Sequence, residues 1–128
     1  MTNIKSKNTI PELQIRSILH INGFRFRLHR KNLPGTPDII LPKYKTAIQV
    51  RGCFWHKHDC RLFSMPKTKK TFWETKLKKN KIRDKKNDKL ISKKGWKLIV
   101  INECMIDSKK RLRQTYSKLI NRLVADQR

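Results

Sequence analysis

A chain of 128 residues is long enough for one domain with a real core and too short for two of ordinary size. Thirty-three Lys and Arg against nine Asp and Glu leave a net charge of +24, which a compact domain carries when its usual partner is a polyanion; nucleic acid leads. The chain has no apolar run near the ~18 residues that span a bilayer and no signal or lipidation motif, so a membrane role is disfavoured and the cytoplasm or nucleoid is expected.

Thr9, Pro11 and Glu12 open a helix with a capping-box pattern, and Leu13, Ile15, Ile18 and Leu19 supply its apolar stripe until Gly23 stops it, giving a helix over roughly 10 to 22. Phe24, Phe26 and Leu28 alternate with Arg25, Arg27 and His29, as in a half-buried strand. A turn cluster, Leu33-Pro34-Gly35-Thr36-Pro37, leads into Asp38 to Leu41. Pro42 to Lys45 then separate that run from Thr46 to Val50, a hairpin pattern. Residues 52 to 68 follow neither period and read as a loop. Thr71 and Glu74 form a second capping-box pattern at the head of a long Lys-rich helix that Gly95 can end. Lys97 to Ile101 is a short buried strand. Ser108 can cap a last helix whose Leu112, Tyr116, Leu119 and Leu123 share a core-facing side. The order α, three strands, α, β, α predicts a single α/β layered domain over 1 to 128 with a mixed sheet.

Three cysteines are an odd number in a chain without secretion signals, so metal binding or catalysis is a better use for them than a disulfide framework. Cys53, His58 and Cys60 lie within eight residues and Cys104 arrives from a strand end. Together they can close a tetrahedral structural Zn²⁺ site of the Cys₃His type, tying the irregular loop to the last strand. On the residues alone His56 can replace His58 as the fourth ligand. The plainer alternative is a set of buried cysteines beside a surface histidine.

Asp38 stands about a dozen residues before Gln49-Val50-Arg51, a spacing similar to that of the PD-(D/E)xK nucleases. A phosphodiester repels hydroxide, so its hydrolysis needs a carboxylate to seat Mg²⁺, a cation near the phosphate and a group to move the proton. Asp38 can be that carboxylate, although Pro-Asp is also a common turn dipeptide. Gln49 departs from the acidic residue of that motif, so a metal here leans on Asp38, a backbone carbonyl such as that of Val50, and water.

Ser6-Lys7-Asn8, Pro11-Glu12, Leu33-Pro34-Gly35, Pro37-Asp38, Gly52-Cys53-Phe54-Trp55-His56 with His58 and Cys60, Phe72-Trp73, Asn80, Asp84, Gly95-Trp96 and Glu103-Cys104 together resemble the Vsr (very short patch repair) endonucleases, over residues 4 to about 106. The resemblance implies a restriction-endonuclease-like three-layer sandwich and a Mg²⁺-dependent nick on the 5′ side of the thymine in a T·G mismatch in double-stranded DNA. Other mismatch-repair proteins are a further expected partner, and action as a monomer is the default expectation. The resemblance makes Asp38 the metal-binding carboxylate, with the Val50 carbonyl beside it, and His56 the catalytic histidine. Glu12 becomes a helper for the histidine or the water, Asp84 an assistant through the water network, and Cys53, His58, Cys60 and Cys104 the zinc ligands. Phe54, Trp55 and Trp73 match aromatics wedged into the base stack, a step that is cheaper at a mismatch; for such aromatics alone, core packing is the ordinary alternative. Trp73, Lys76, Asn80 and Asp84 fall on one helix face, from which Lys76 and Asn80 can reach bases or phosphates.

Val50 and Arg51 stand where a characterised member has Thr and His. A backbone carbonyl survives the first change, but a guanidinium cannot act as a base at neutral pH, so Arg51 is expected to stabilise phosphate charge. Two other readings stand beside it: a Mg²⁺-dependent endonuclease of this fold with a different DNA target, which keeps Asp38, His56 and the zinc site while differing at Lys76 and Asn80, and a non-catalytic zinc-stabilised DNA-binding protein, which would tolerate loss of Asp38 and His56.

Overall fold

The computed structural model describes residues 9–29, 33–53, 56, 58 and 60–125. In chain order these form α1 (Ile10–Ile21), β1 (Arg27–Leu28), β2 (Ile39–Leu41), β3 (Thr46–Arg51), α2 (Lys70–Lys93), β4 (Lys97–Asn102) and α3 (Lys109–Ala125), with single 3₁₀ turns at Pro42–Tyr44 and Glu103–Met105. The four strands make one mixed sheet in the order β1-β2-β3-β4. β1 and β3 both run antiparallel to β2, whereas β4 runs parallel to β3 and pairs Thr46 with Lys97 through Arg51 with Asn102. A parallel neighbour requires a crossover, and the chain between Gly52 and Trp96, α2 included, makes it.

The Ile-Ile-Leu run of β2 is buried at every position, because helices cover both faces of the sheet. On one face Ile39, Leu41, Ile48, Ile99 and Ile101 meet Ile15 and Leu19 of α1 and Leu119 and Leu123 of α3. On the other, Ile40 and Ala47 meet Ile91 of α2, with Trp96 and Leu98 against them. Burying each such Ile or Leu contributes roughly 1.5–3 kcal/mol.

The expected elements appear with two local differences. The strand expected over Phe24 to Leu28 shrinks to Arg27–Leu28, paired with Ile40 and Ile39. Continuing that register would set Arg25 opposite Pro42, which lacks an amide hydrogen and opens a 3₁₀ turn, so the ladder ends there; Phe24 and Phe26 still pack on the core. The long helix begins one residue before Thr71, capped by Lys69 in the left-handed region with no side-chain hydrogen bond, and Glu74 lies 3.9 Å from Lys70. Its end is as expected: Gly95 at φ 86° lets its own amide reach Ser92 O at 3.0 Å and that of Trp96 reach Ile91 O at 3.3 Å, the paired bonds of a Schellman cap. Ser108 caps α3 through its hydroxyl, which accepts from the Arg111 amide at 3.1 Å. Among the described residues no helix is long and apolar enough to cross a membrane.

Candidate active site and metal cluster

Four consecutive residues where β3 runs out organise the site. The Val50 amide donates to Asp38 Oδ2 at 2.7 Å, the Arg51 guanidinium donates to Asp88 Oδ1 at 2.6 Å, and the Gly52 carbonyl accepts from the His56 amide at 3.3 Å. Cys53 follows, its side chain fully buried. One strand end thus touches a carboxylate of the sheet, an acid of α2, the histidine loop and the cysteine cluster, at the carboxyl ends of the two parallel strands where open α/β sheets place ligands.

Asp38 leads β2 after a turn whose Gly35 has φ 77°. A Cβ there would lie 3.2 Å from Asn87 Cβ and 3.3 Å from Gln49 Nε2, so glycine allows both the turn and its approach to α2 and β3. Gln49 secures the turn by donating to Gly35 O at 3.2 Å. Asp38 is 9% exposed and Glu12 is 1% exposed. The Thr9 hydroxyl caps α1 by accepting from the Glu12 amide at 3.4 Å, while the Glu12 carboxylate accepts from Arg16 at 3.3 Å and meets His29 Nε2 at 2.8 Å. Glu12, His29 and Asp38 each offer one donor atom within 4.8 Å of the others. Burial pushes Asp38 up to about 6 and the adjacent Glu12 adds to the rise, while the Val50 amide and His29 work against it. Two crowded carboxylates, with Asp38 raised in proton affinity, form a donor set that a hard divalent cation would relieve, so the residues present fit Mg²⁺.

His29 was not foreseen as a site residue. Its place follows from strand register, since Leu28 pairs with Ile39 and the next rung sets His29 against Asp38, with the His29 amide donating to Asp38 O at 3.1 Å. Its φ of 46° is left-handed, a conformation histidine tolerates better than most residues and one that tends to cluster at functional sites.

His56 Nδ1 is bonded to Asp84 Oδ2. Asp84 and Asp88 both lie half-buried on the side of α2 that carries the buried Leu77 and Ile91, so one helix face supplies a partner to His56 and another to Arg51. Asp88 was also not foreseen; its spacing of one turn from Asp84 was the available signal. Asn80 is half-buried on that face, Trp73 is half-buried two turns before it, and Lys76 is exposed, its ammonium 5.9 Å from the ring centres of both Phe72 and Trp73. Phe72 is 54% exposed and meets Trp73 edge-to-face at 5.2 Å. Phe54 and Trp55, expected among the stacking aromatics, lie outside the described residues, as does the Ser6-Lys7-Asn8 segment.

The structure brings Cys53, His58, Cys60 and Cys104 together, their donor atoms within 4.8 Å of one another. His58 Nδ1 is 3.7 Å from Cys53 Sγ and 3.5 Å from Cys104 Sγ. With Zn–S near 2.3 Å and Zn–N near 2.05 Å, the edge of a zinc tetrahedron is about 3.6 Å, so these donors suit zinc. Burial pushes the Cys53 thiol up to about 12 and raises Cys104 too. At Cys60 burial also raises the thiol, but hydrogen bonds from His58 and Leu62 outweigh it and bring it to about 7. Three thiols this close resist joint ionisation unless a cation joins them.

The chain is similar to known proteins. Residues 1–62 match the family model described as DNA mismatch endonuclease Vsr. The chain is 45% identical to the Type II nicking enzyme V.XorIIP of Xanthomonas oryzae pv. oryzae over 104 residues, covering 81% of this chain and 76% of the relative. It is 41% identical to the Type II nicking enzyme V.NmeAIP of Neisseria meningitidis serogroup A over 123 residues, 96% of this chain and 88% of the relative. With the DNA mismatch endonuclease Vsr of Escherichia coli (strain K12) it shares 35% identity over 112 residues, 88% of this chain and 72% of that one. A mixed α/β domain with this set of acids and histidines and these relatives is a hydrolase, a DNA strand-nicking endonuclease. The chain belongs to the Vsr DNA mismatch endonuclease family.

Proposed function

We propose that this protein nicks one strand of double-stranded DNA 5′ to the thymine of a T·G mismatch, on a restriction-endonuclease-like scaffold, with Mg²⁺ in the active site and Zn²⁺ as a structural staple. The observation that carries the reading is the buried Asp38 carboxylate, crowded by Glu12 and fastened to the Val50 amide. Asp38 would hold the Mg²⁺. In an extended strand the N–H and C=O of one residue leave by the same edge, so the Val50 carbonyl faces the same side and would offer the ion a second oxygen. When bound, the ion supplies charge against the phosphate and lowers the pKa of a water.

The chain's own groups do the rest. The bond from His56 Nδ1 to Asp84 fixes the ring and leaves Nε2 to take or return the proton. Glu12 orients the water side of the cluster. Arg51, held by Asp88, keeps a fixed positive charge beside the scissile phosphate. Cys53, His58, Cys60 and Cys104 hold zinc and so pin the loop carrying His56 to the end of β4. Phe54, Trp55 and Trp73 stack on bases, with Lys76 and Asn80 contacting bases or phosphates and the outer lysines of α2 lying along the backbone. The protein acts as a monomer in the cytoplasm, handing its nick to other repair proteins.

A second reading, the same Mg²⁺-dependent chemistry on a different DNA target, draws support from relatives named as type II nicking enzymes. A labelled duplex with one T·G mismatch, compared with matched duplexes in Mg²⁺ and in EDTA, separates the two. A nick confined to the mismatched T strand and lost in Asp38→Ala is expected. Equal cleavage of matched duplexes would transfer the function to the second reading, and tight binding without cleavage in any condition would reduce it to DNA binding.

A further inference from the structure

Besides the carboxylates already assigned, the cluster at the start of α1 contains a ring nitrogen with no role in that mechanism. His29 Nε2 sits 2.8 Å from Glu12 Oε2, and both lie within 4.8 Å of an Asp38 oxygen. For an octahedral ion with bonds near 2.1 Å, adjacent ligand atoms are about 3 Å apart, so this separation suits two neighbouring ligands of one ion. The three side chains come from three elements: Glu12 from α1, His29 from the residue after β1, and Asp38 from the residue before β2. The left-handed backbone at His29 and its amide bond to Asp38 O fix where the ring starts. Two carboxylates and a neutral imidazole carry two negative charges, which one divalent ion cancels inside a site whose acids are almost fully buried.

Resting on the assignment of Asp38 to a catalytic cation, we propose that His29 is a nitrogen ligand to that same ion, with Glu12 drawn from orienting water into the ligand set beside Asp38 and the Val50 carbonyl, so that the site favours Mn²⁺ or Co²⁺ over Mg²⁺. Magnesium keeps to oxygen donors, whereas imidazole raises affinity along the first transition row. If His29 served only as a hydrogen-bond donor to Glu12, its removal would weaken all divalent ions alike and no nitrogen would couple to the bound metal.

The test is Mn²⁺ binding to the zinc-replete protein, followed by electron paramagnetic resonance, with ¹⁴N modulation of the spin echo reporting a coordinated imidazole. The wild type is expected to bind Mn²⁺ in an Asp38-dependent way with a nitrogen signal that survives in His56→Gln and disappears in His29→Gln. Mn²⁺ affinity in His29→Gln should fall roughly tenfold or more, a loss of the size seen when groups around a metal site are removed, and Mg²⁺ affinity should fall less. Zinc content and the thermal melt of His29→Gln establish that the variant is folded, with His29→Asn as the substitute if it is not. Asp38-dependent binding without nitrogen in the wild type, or with nitrogen retained in His29→Gln, overturns the His29 assignment and leaves Asp38 as the cation site. Mn²⁺ binding undiminished in Asp38→Asn overturns the cation reading itself and this proposal with it.

Discussion

The two donor clusters are alike in size and opposite in character. In each, the ligand atoms lie within 4.8 Å of one another. Cys53, His58, Cys60 and Cys104 are soft or borderline donors joining a loop to a strand end more than a third of the chain away, and three of the four are partly exposed. Glu12, His29 and Asp38 come from the first forty residues, and their two carboxylates are buried against the sheet. The first arrangement has its value in the connection it makes, since among the described residues of the loop only Cys53 is buried. The second has its value in discomfort: carboxylates held together out of water are poised for an ion whose chemistry they can use. As proposed staple and proposed active site, the two clusters should therefore differ in what their removal does to the fold.

The largest contrast should come from the cysteines. Cys60→Ala or Cys104→Ala, or stripping the zinc with a strong chelator, is expected to cost on the order of 5 kcal/mol, lowering the melting temperature by roughly 20 °C and abolishing nicking as a consequence. A calorimetric scan of the zinc-replete and stripped protein measures this. An unchanged melt would erase the distinction between the two clusters.

Asp38→Asn should move stability the other way. Because the folded protein raises the Asp38 pKa to about 6 from an ordinary value of 3.8, the native state binds its proton more tightly than the unfolded chain does. That contribution is fully present below pH 4 and is lost as pH rises to about 6, so in zinc-replete, Mg²⁺-free protein at neutral pH the variant should be more stable by up to about 3 kcal/mol. Urea unfolding at pH 4.5 and pH 7.5 checks the sign, and a variant less stable than wild type at both would show that the carboxylate is not strained. The gain in stability should accompany loss of nicking, a trade usual at active sites.

Asp84→Asn is the smallest of the three. It leaves His56 a hydrogen-bond partner but no charge, so nicking should fall about tenfold to a hundredfold with the melt unchanged. Single-turnover rates with saturating enzyme read this directly, and a defect only in DNA affinity would move Asp84 out of the proton path.

The difference between the clusters also governs what could be read in advance. Cysteine is scarce in this chain, and all three residues enter one cluster, so the cysteines were visible from residue type and spacing alone, whereas the choice of His58 over His56 came only with the resemblance. The core faces of β2, β4 and α3 were legible for a similar reason, since uninterrupted or regularly spaced apolar residues leave little choice of face. His29 was hidden because its partner is set by the pairing of β1 with β2, and the alternation over 24 to 29 shows which residues share a face but not which strand lies opposite. Glu12 was read both as a capping-box acid and, by resemblance, as a site residue; its side chain goes to His29 and Arg16. Arg51 and Asp88 show the same limit, for an ion pair between residues 37 positions apart depends on how α2 lies across the sheet.

One consequence lies in α2. The helix runs 24 residues, yet its buried side chains are Leu77 and Ile91, while lysines crowd its outer surface and repel one another. Its amides should therefore exchange with solvent well ahead of those in the β3–β4 ladder, as a unit that opens and closes while the sheet stays shut. Each opening would detach Asp84 from His56 and Asp88 from Arg51 in a single event. A polyanion laid along those lysines removes the repulsion and holds the helix closed, so slower exchange in α2 on adding duplex would mean that the substrate finishes assembling the enzyme.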